Sequence, residues 1–116
     1  MIKIKNVYDK PEINDGIRIL VERTWPASVT RGSIDMWLRD LAPSEELITW
    51  YNYEPQKWEE FKRRYLEELR YNPKVKPLLM IVKMTKIVTF LYSGDPTYNN
   101  AVVLKEYIES LINKES

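Results

Sequence analysis

Two arginines and a tryptophan follow a strand-like segment near the N-terminus. Residues 17–23 are largely apolar and β-branched, as in a central strand, and they end at Arg23, with Trp25 and Arg31 in the loop beyond. Arginine binds carboxylates or phosphates through paired hydrogen bonds, and tryptophan stacks on planar rings or on guanidinium groups. This spacing predicts a site for a small anionic ligand.

The same loop also has a purely structural interpretation. Arg23 would then form an ion pair with Asp35 or Asp40, and Trp25 would cover the edge of the sheet. Ion pairs and packed tryptophans are commoner in proteins than ligand sites, so both interpretations stay open.

A second polar cluster, "YSGDPTYNN", occupies residues 92–100 after another strand-like segment. A strand end followed by a helix N-terminus offers free N–H groups and the positive end of a helix dipole, which together attract an anion. The side chains that could add hydrogen bonds are Tyr92, Ser93, Asn99 and Asn100. Asp95, followed by Pro96, is predicted to cap the helix, which would use some of those donors and repel an anion.

The chain contains neither cysteine nor histidine, which excludes thiol, disulfide, zinc–thiolate and imidazole chemistry. Acid–base catalysis would need a carboxylate such as Asp35 or Asp95 as the base, with Tyr92 as the acid. The spacing of Glu22, Asp35, Asp40 and Asp95 matches no metal-binding loop, so neither a metal nor a cofactor is expected.

The charges of the chain are nearly balanced, with 18 Lys and Arg against 17 Asp and Glu. This argues against nucleic-acid binding, which depends on excess positive charge, and glutamates flank the basic run at residues 62–64. No apolar run reaches the roughly 20 residues of a membrane span or resembles a signal peptide. A cytoplasmic protein is expected, and the many Lys, Glu, Ile and Tyr residues hint at a thermophile.

The elements that position these residues follow from hydrophobic periodicity. Strands are predicted at residues 2–7, 17–23 and 86–92. Helices are predicted from a Ser33 cap through Leu41, from Ser44 to about Tyr51, over 55–71, over 74–84, and from Asp95-Pro96 to about Asn113. The segment at 74–84 could also be a strand.

This order predicts a small three-stranded parallel or mixed sheet flanked by helices, forming a single α/β domain over residues 1–116. The long helical segment before the third strand favours a right-handed crossover and parallel pairing. In such sheets ligands bind beyond the carboxyl ends of the strands, where loops 23–33 and 92–98 are expected to meet.

Four motifs give the chain a resemblance to a known family. They are "RILVERTWP", "DMWLRDLAPSEEL", "WYNYEPQKWEEFKRRYLEEL" and "VTFLYSGDPTYNNAVVLKEYI". In this order they resemble the short YeaO-like branch of the family called domain of unknown function 488. The resemblance implies a compact α/β domain and carries over no catalytic residue.

The chain departs from that family at several positions. Similar proteins read Trp-Pro-Arg-Gly where this chain has Ala27 and Ser28, and they often have His at the positions of Tyr53 and Tyr98. A longer branch carries a Cys at the position of Tyr92 and a Cys-His-Arg motif at residues 99–101. Whether Arg31 replaces the arginine missing at Ala27 is open.

The function expected from the sequence is therefore binding of a small anionic ligand at the strand ends. The alternative is a protein-interaction or homo-oligomerising module without catalysis. Whether the protein is an enzyme is left open.

Overall fold

A computed structural model describes residues 1–115 as an α/β fold with one sheet. The four strands are β1 (Ile2–Asn6), β2 (Ile17–Leu20), β3 (Met36–Trp37) and β4 (Val88–Tyr92). They lie in the order β1-β4-β2-β3, and every neighbouring pair is parallel. The α/β class and the parallel sheet flanked by helices are confirmed.

Residues 1–115 also form four α-helices. They are α1 (Glu45–Tyr51), α2 (Trp58–Arg70), α3 (Val75–Met84) and α4 (Asn100–Glu115). Ser44 caps α1 as predicted, because its hydroxyl accepts a hydrogen bond from the Leu47 N–H. The ambiguous segment at 74–84 is helical, and its inward stripe includes the buried Leu78 and Val82.

The prediction of three strands is wrong, because residues 34–41 do not form a helix. Ile34, Trp37, Leu38 and Leu41 have helical spacing, yet the segment forms β3 between two short 3₁₀ turns. The backbone N–H groups of Asp35 and Leu38 donate to the carbonyls of Arg18 and Leu20 in β2. Pairing with the open edge of β2 outweighs a helical pattern barely two turns long.

The helices pack on one face of the sheet. Ile19 and Phe90 point to that face and join the main core, which contains Tyr65, Leu78 and Leu104 from three helices. Since side chains alternate along a strand, the intervening residues point to the other face.

Loops cover that other face. Leu20 and Leu91 pack there in a smaller cluster with Trp25, Val29 and Ile34, all from the connection between β2 and β3. The two faces therefore have different covers, helical on one side and looped on the other.

A buried ion cluster also lies on the loop-covered face. Asp15, which is fully buried, accepts from Lys3 at 3.3 Å, from Lys5 at 3.1 Å and from Arg18 at 2.5 Å. Gly16 follows with φ +63°, and a Cβ there would lie 2.0 Å from the carbonyl oxygen of Ile87. Only glycine fits at this entry to β2, which seats the ion cluster beside the sheet.

Candidate functional site

The loops after β2 and β4 leave the same edge of the sheet. The two strands are parallel neighbours, with Ile17 opposite Val88 and Leu20 opposite Leu91. A small cavity of about 40 Å³ opens at this edge, where α1 and the start of α4 approach. We call it the tyrosine hollow; it is lined by Glu22, Tyr51, Tyr53, Asp95, Tyr98 and Asn100, together with Ser93, Asn99 and three apolar side chains.

Glu22 connects the two loops. Its Oε1 accepts hydrogen bonds from the Ser93 backbone N–H at 2.7 Å and from the Ser93 hydroxyl at 3.3 Å. Burial raises the pKa of Glu22, and the Ser93 hydrogen bonds oppose that rise only in part. Among residues 1–115, no cation lies within ion-pair distance of this carboxylate.

The predicted Asp95 cap of the last helix is wrong. The Asp95 carboxylate closes a turn by accepting from the N–H groups of Thr97 and Tyr98, at 2.7 and 2.9 Å, which lowers its pKa. The helix begins five residues later at Asn100, capped by Asn99, whose Oδ1 accepts from the Val102 N–H at 3.1 Å. One of the free N–H donors at the N-terminus of α4 is therefore already used by Asn99, which leaves fewer donors for an anion.

Asn100 connects the start of α4 to the sheet. Its Nδ2 donates to the carbonyl oxygen of Val21 at 2.6 Å, and the residue is only 8% exposed. This bond fixes the amide orientation, so Asn100 presents a rigid polar group to the hollow.

Three tyrosines surround the hollow. Tyr51, at the end of α1, is buried, whereas Tyr53 and Tyr98 are 73% and 38% exposed. The ring centroids of Tyr51 and Tyr53 are 6.2 Å apart. Asn52 and Tyr53 both adopt left-handed backbone conformations, with φ of 49° and 55°, which is rare for residues with a Cβ and turns the chain sharply after α1.

Arg23 does not line the hollow. Its Nε donates to the carbonyl of Pro43 at 2.8 Å and its Nη2 to that of Ala42 at 3.2 Å. The alternative in which it pairs with Asp35 or Asp40 is wrong, because two carbonyls that precede α1 take its hydrogen bonds.

A second, shallower depression of about 150 Å³ lies beside β3 and brings together Trp25, Arg31 and Asp35. The Trp25 indole donates to the carbonyl of Val29 at 2.9 Å and contacts Trp37 edge-on, with ring centroids 5.4 Å apart. The Asp35 carboxylate accepts from the backbone N–H of Arg18 at 2.8 Å. The Arg31 side chain is exposed and makes no ion pair with another residue of the described chain.

The structure thus divides the residues chosen from the sequence. Ser93, Asp95, Asn99 and Asn100 line the tyrosine hollow, and Trp25, Arg31 and Asp35 line the depression beside β3. Tyr92 is buried in the main core, which raises the pKa of its phenol, and it lines neither cavity.

Tyr51, Tyr53 and Tyr98 were not recognised as site residues from the sequence. The available signal was the family resemblance, since Tyr53 and Tyr98 stand where similar proteins often have His. Both of these positions line the tyrosine hollow.

Over residues 1–115, no three or more Asp and Glu side chains gather closely enough to hold a metal ion. None of the helices in this part of the chain has the length and apolar character needed to cross a bilayer.

Comparison with known proteins finds relatives that cover nearly the whole chain. The uncharacterised protein YeaO of Escherichia coli is 34% identical over 113 residues, covering 95% of this chain and 98% of YeaO. The uncharacterised proteins Rv3073c of Mycobacterium tuberculosis and Mb3100c of Mycobacterium bovis are each 28% identical over 109 residues, covering 92% of both chains. No solved structure matches. The model of the inactive DUF488-N3 subclade matches residues 1–116, and the chain belongs to this family.

Proposed function

We propose that this protein is a non-catalytic binding module and that its ligand group enters the tyrosine hollow. The observation that carries the proposal is Glu22, a largely buried carboxylate that lines a cavity and lacks a cationic partner among residues 1–115. Removing a carboxylate from water without a cationic partner is unfavourable. A buried, unpaired carboxylate in a cavity is therefore a candidate for binding a ligand.

The hydrogen bonds and the burial of the acid–base candidates support a function without catalysis. Asp35 and Asp95 already accept backbone hydrogen bonds, and Tyr92 lies in the core. The chain offers no thiol or imidazole in their place. The description of the matching subclade as inactive points the same way.

The depression beside β3 supports a second candidate function, binding of a small anion. Its observation is the exposed Arg31 guanidinium next to the Trp25 and Trp37 indoles, a combination that suits a planar carboxylate or a phosphate. The sequence predicts anion binding at the strand ends, but the tyrosine hollow there is lined by no Lys or Arg, whereas the depression beside β3 is lined by Arg31.

An NMR titration of the ¹⁵N-labelled protein tests both candidates. Small neutral, cationic and anionic fragments are added separately, and amide shifts are followed at Ser93 and Asn100 for the hollow and at Arg31 for the depression. We expect saturable shifts at Ser93 and Asn100 that Tyr98→Ala abolishes and Tyr71→Ala, a matched change of an exposed tyrosine on another surface, leaves intact.

Three outcomes decide between the candidates. Shifts confined to Arg31 with anions, lost in Arg31→Ala, would favour the second function. If no fragment shifts the amides of Ser93, Asn100 or Arg31, the proposed binding in the tyrosine hollow is wrong. Saturable shifts at Ser93 and Asn100 with any one class of fragment would sustain it.

A further inference from the structure

The lining of the tyrosine hollow carries negative charge only. Glu22 and Asp95 are its two ionisable carboxylates, and the lining contains no Lys or Arg. Burial raises the pKa of the Tyr51 phenol, and the nearby Asp95 charge raises it further. The negative charge of Asp95 therefore disfavours a further negative charge beside Tyr51.

The size of the hollow restricts what can enter. Its volume is about 40 Å³, and a water molecule needs roughly 10–15 Å³ on the same measure. A head group of up to about four heavy atoms, the size of a guanidinium, fits this space, whereas a nucleotide or a sugar does not. The hollow is suited to the tip of a longer molecule that remains outside.

Two acceptor atoms of the hollow receive no hydrogen bond within residues 1–115. Hydrogen bonds to Glu22 end on Oε1, and none within residues 1–115 ends on its Oε2. Asn100 uses its Nδ2 to bind Val21, and its Oδ1 likewise receives no hydrogen bond within residues 1–115. An incoming group that carries several N–H donors would satisfy both oxygens.

The aromatic part of the lining has the same preference. Tyr51, Tyr53 and Tyr98 surround the space, and Trp58 supports Tyr98 with its ring centroid 5.3 Å away. Tyrosine rings attract cations through the negative charge on their faces, and ammonium-binding sites combine such rings with carboxylates.

We propose that the tyrosine hollow binds a cationic nitrogen head group, the ammonium or guanidinium tip of a lysine or arginine side chain or of a free alkylamine. This inference rests on the function proposed above, because it specifies the ligand of the same site. The charge of the lining, its volume, its vacant acceptor atoms and its tyrosines all favour this chemistry over an anion.

The test compares cations with neutral molecules of the same shape. The intact ¹⁵N-labelled protein is titrated with N-acetyl-arginine methylamide, with N-acetyl-lysine methylamide, and with the neutral citrulline and norleucine counterparts. Butylamine and agmatine represent free amines, and acetate and phosphate represent anions. We expect the cations alone to shift Ser93 and Asn100, with millimolar affinity.

Glu22→Gln supplies the decisive variant, since it keeps the shape of the side chain and removes its charge. We expect cation binding to weaken about tenfold, the effect of losing one charge-assisted hydrogen bond. Glu109→Gln makes the same change in charge at a partly buried position of α4 that does not line the hollow, and it should bind like the parent. Retained ¹⁵N spectra would show that both variants are folded.

Each result has a separate meaning. Saturable shifts with citrulline or acetate equal to those with arginine would overturn the cation and leave the binding site in place. The absence of shifts with every probe would overturn both proposals. Binding of the amino-acid amides but not of the free amines would assign the source to a protein side chain, and the reverse would assign it to a small amine.

Discussion

Asp15 and Glu22 lie at the two ends of the same strand, β2, and differ in their surroundings. Asp15 is held by Lys3, Lys5 and Arg18, whereas within residues 1–115 the Glu22 carboxylate accepts hydrogen bonds from Ser93 alone. Burial alone would raise the pKa of Asp15, but the Glu12 N–H and the three cations outweigh it and keep that pKa well below its usual range. For Glu22, burial prevails and the pKa is raised.

The comparison separates a structural carboxylate from one that remains available. Asp15 finds its counter-charges inside the fold and joins the sheet to the loop before β2. Glu22 has no ion-pair partner among residues 1–115, and in the function proposed above its counter-charge comes from a ligand in the tyrosine hollow. Burial of a charged group is therefore informative about function only together with its partners.

The largest effect is expected for Asp15→Asn. It would leave three cations around a neutral amide and destabilise the fold by about 3 kcal/mol, the usual cost of breaking a buried pair. Urea denaturation at neutral pH measures this difference. Asp9→Asn, on an exposed turn, is the control and should be nearly silent. A loss for Asp15→Asn no larger than for the control would remove the structural role.

The lowered pKa of Asp15 also predicts how the stability of the fold changes with pH. Because the pKa of Asp15 is lowered by folding, the unfolded chain binds its proton first as the pH falls. The contribution of Asp15 is therefore complete above its unfolded pKa near 3.8 and is lost progressively below it. Asp15→Asn should lose less stability on acidification than the parent does.

A smaller effect is expected for Asn99→Ala, which removes the cap of α4 at the edge of the tyrosine hollow. The free energy of unfolding should fall by about 1 kcal/mol, as for other lost N-caps. Asn113→Ala, near the opposite end of the same helix, provides the matched comparison. Equal melting temperatures for the two variants would contradict capping by Asn99.

The smallest effect, and one of opposite sign, is expected for Glu22→Gln. Its folded pKa is raised, so ionised Glu22 opposes folding at neutral pH, and its contribution declines as the pH rises from the unfolded pKa to the folded one. The neutral variant should equal or exceed the parent in stability at neutral pH, by at most about 1 kcal/mol. A clear loss of melting temperature would mean that the charge itself is structural and would remove the contrast with Asp15.

Long periodic segments of the sequence predict the fold well. The stripe of Phe61, Tyr65 and Leu69 predicts α2, and the β-branched run before Tyr92 predicts β4. The prediction for residues 34–41 is wrong because a short helix there competes with pairing to the open edge of β2. The sequence alone does not show that this edge is open. Asp95 misleads because Asp closes turns as readily as it caps helices.

The site was less predictable than the fold. Parallel pairing places the ends of β2 and β4 at the same edge of the sheet, where Glu22 contacts Ser93. The loop over residues 23–33, which the sequence predicts to meet residues 92–98, contributes no side chain to the tyrosine hollow. The tyrosine hollow, however, also needs α1 and its left-handed ending at Asn52 and Tyr53, which no local pattern predicts. The direction taken by Arg23 depends on two distant carbonyl groups, which only tertiary structure supplies.

The central position of β4 has a consequence for the way the chain reaches its native state. β1 pairs with β4 alone, with Ile2 opposite Val88, so β1 has no partner strand until β4 has been synthesised. Such distant pairing slows folding and leaves early strands exposed in the meantime. Lys3 and Lys5 give the waiting strand a charged side, which discourages premature association with other nascent chains.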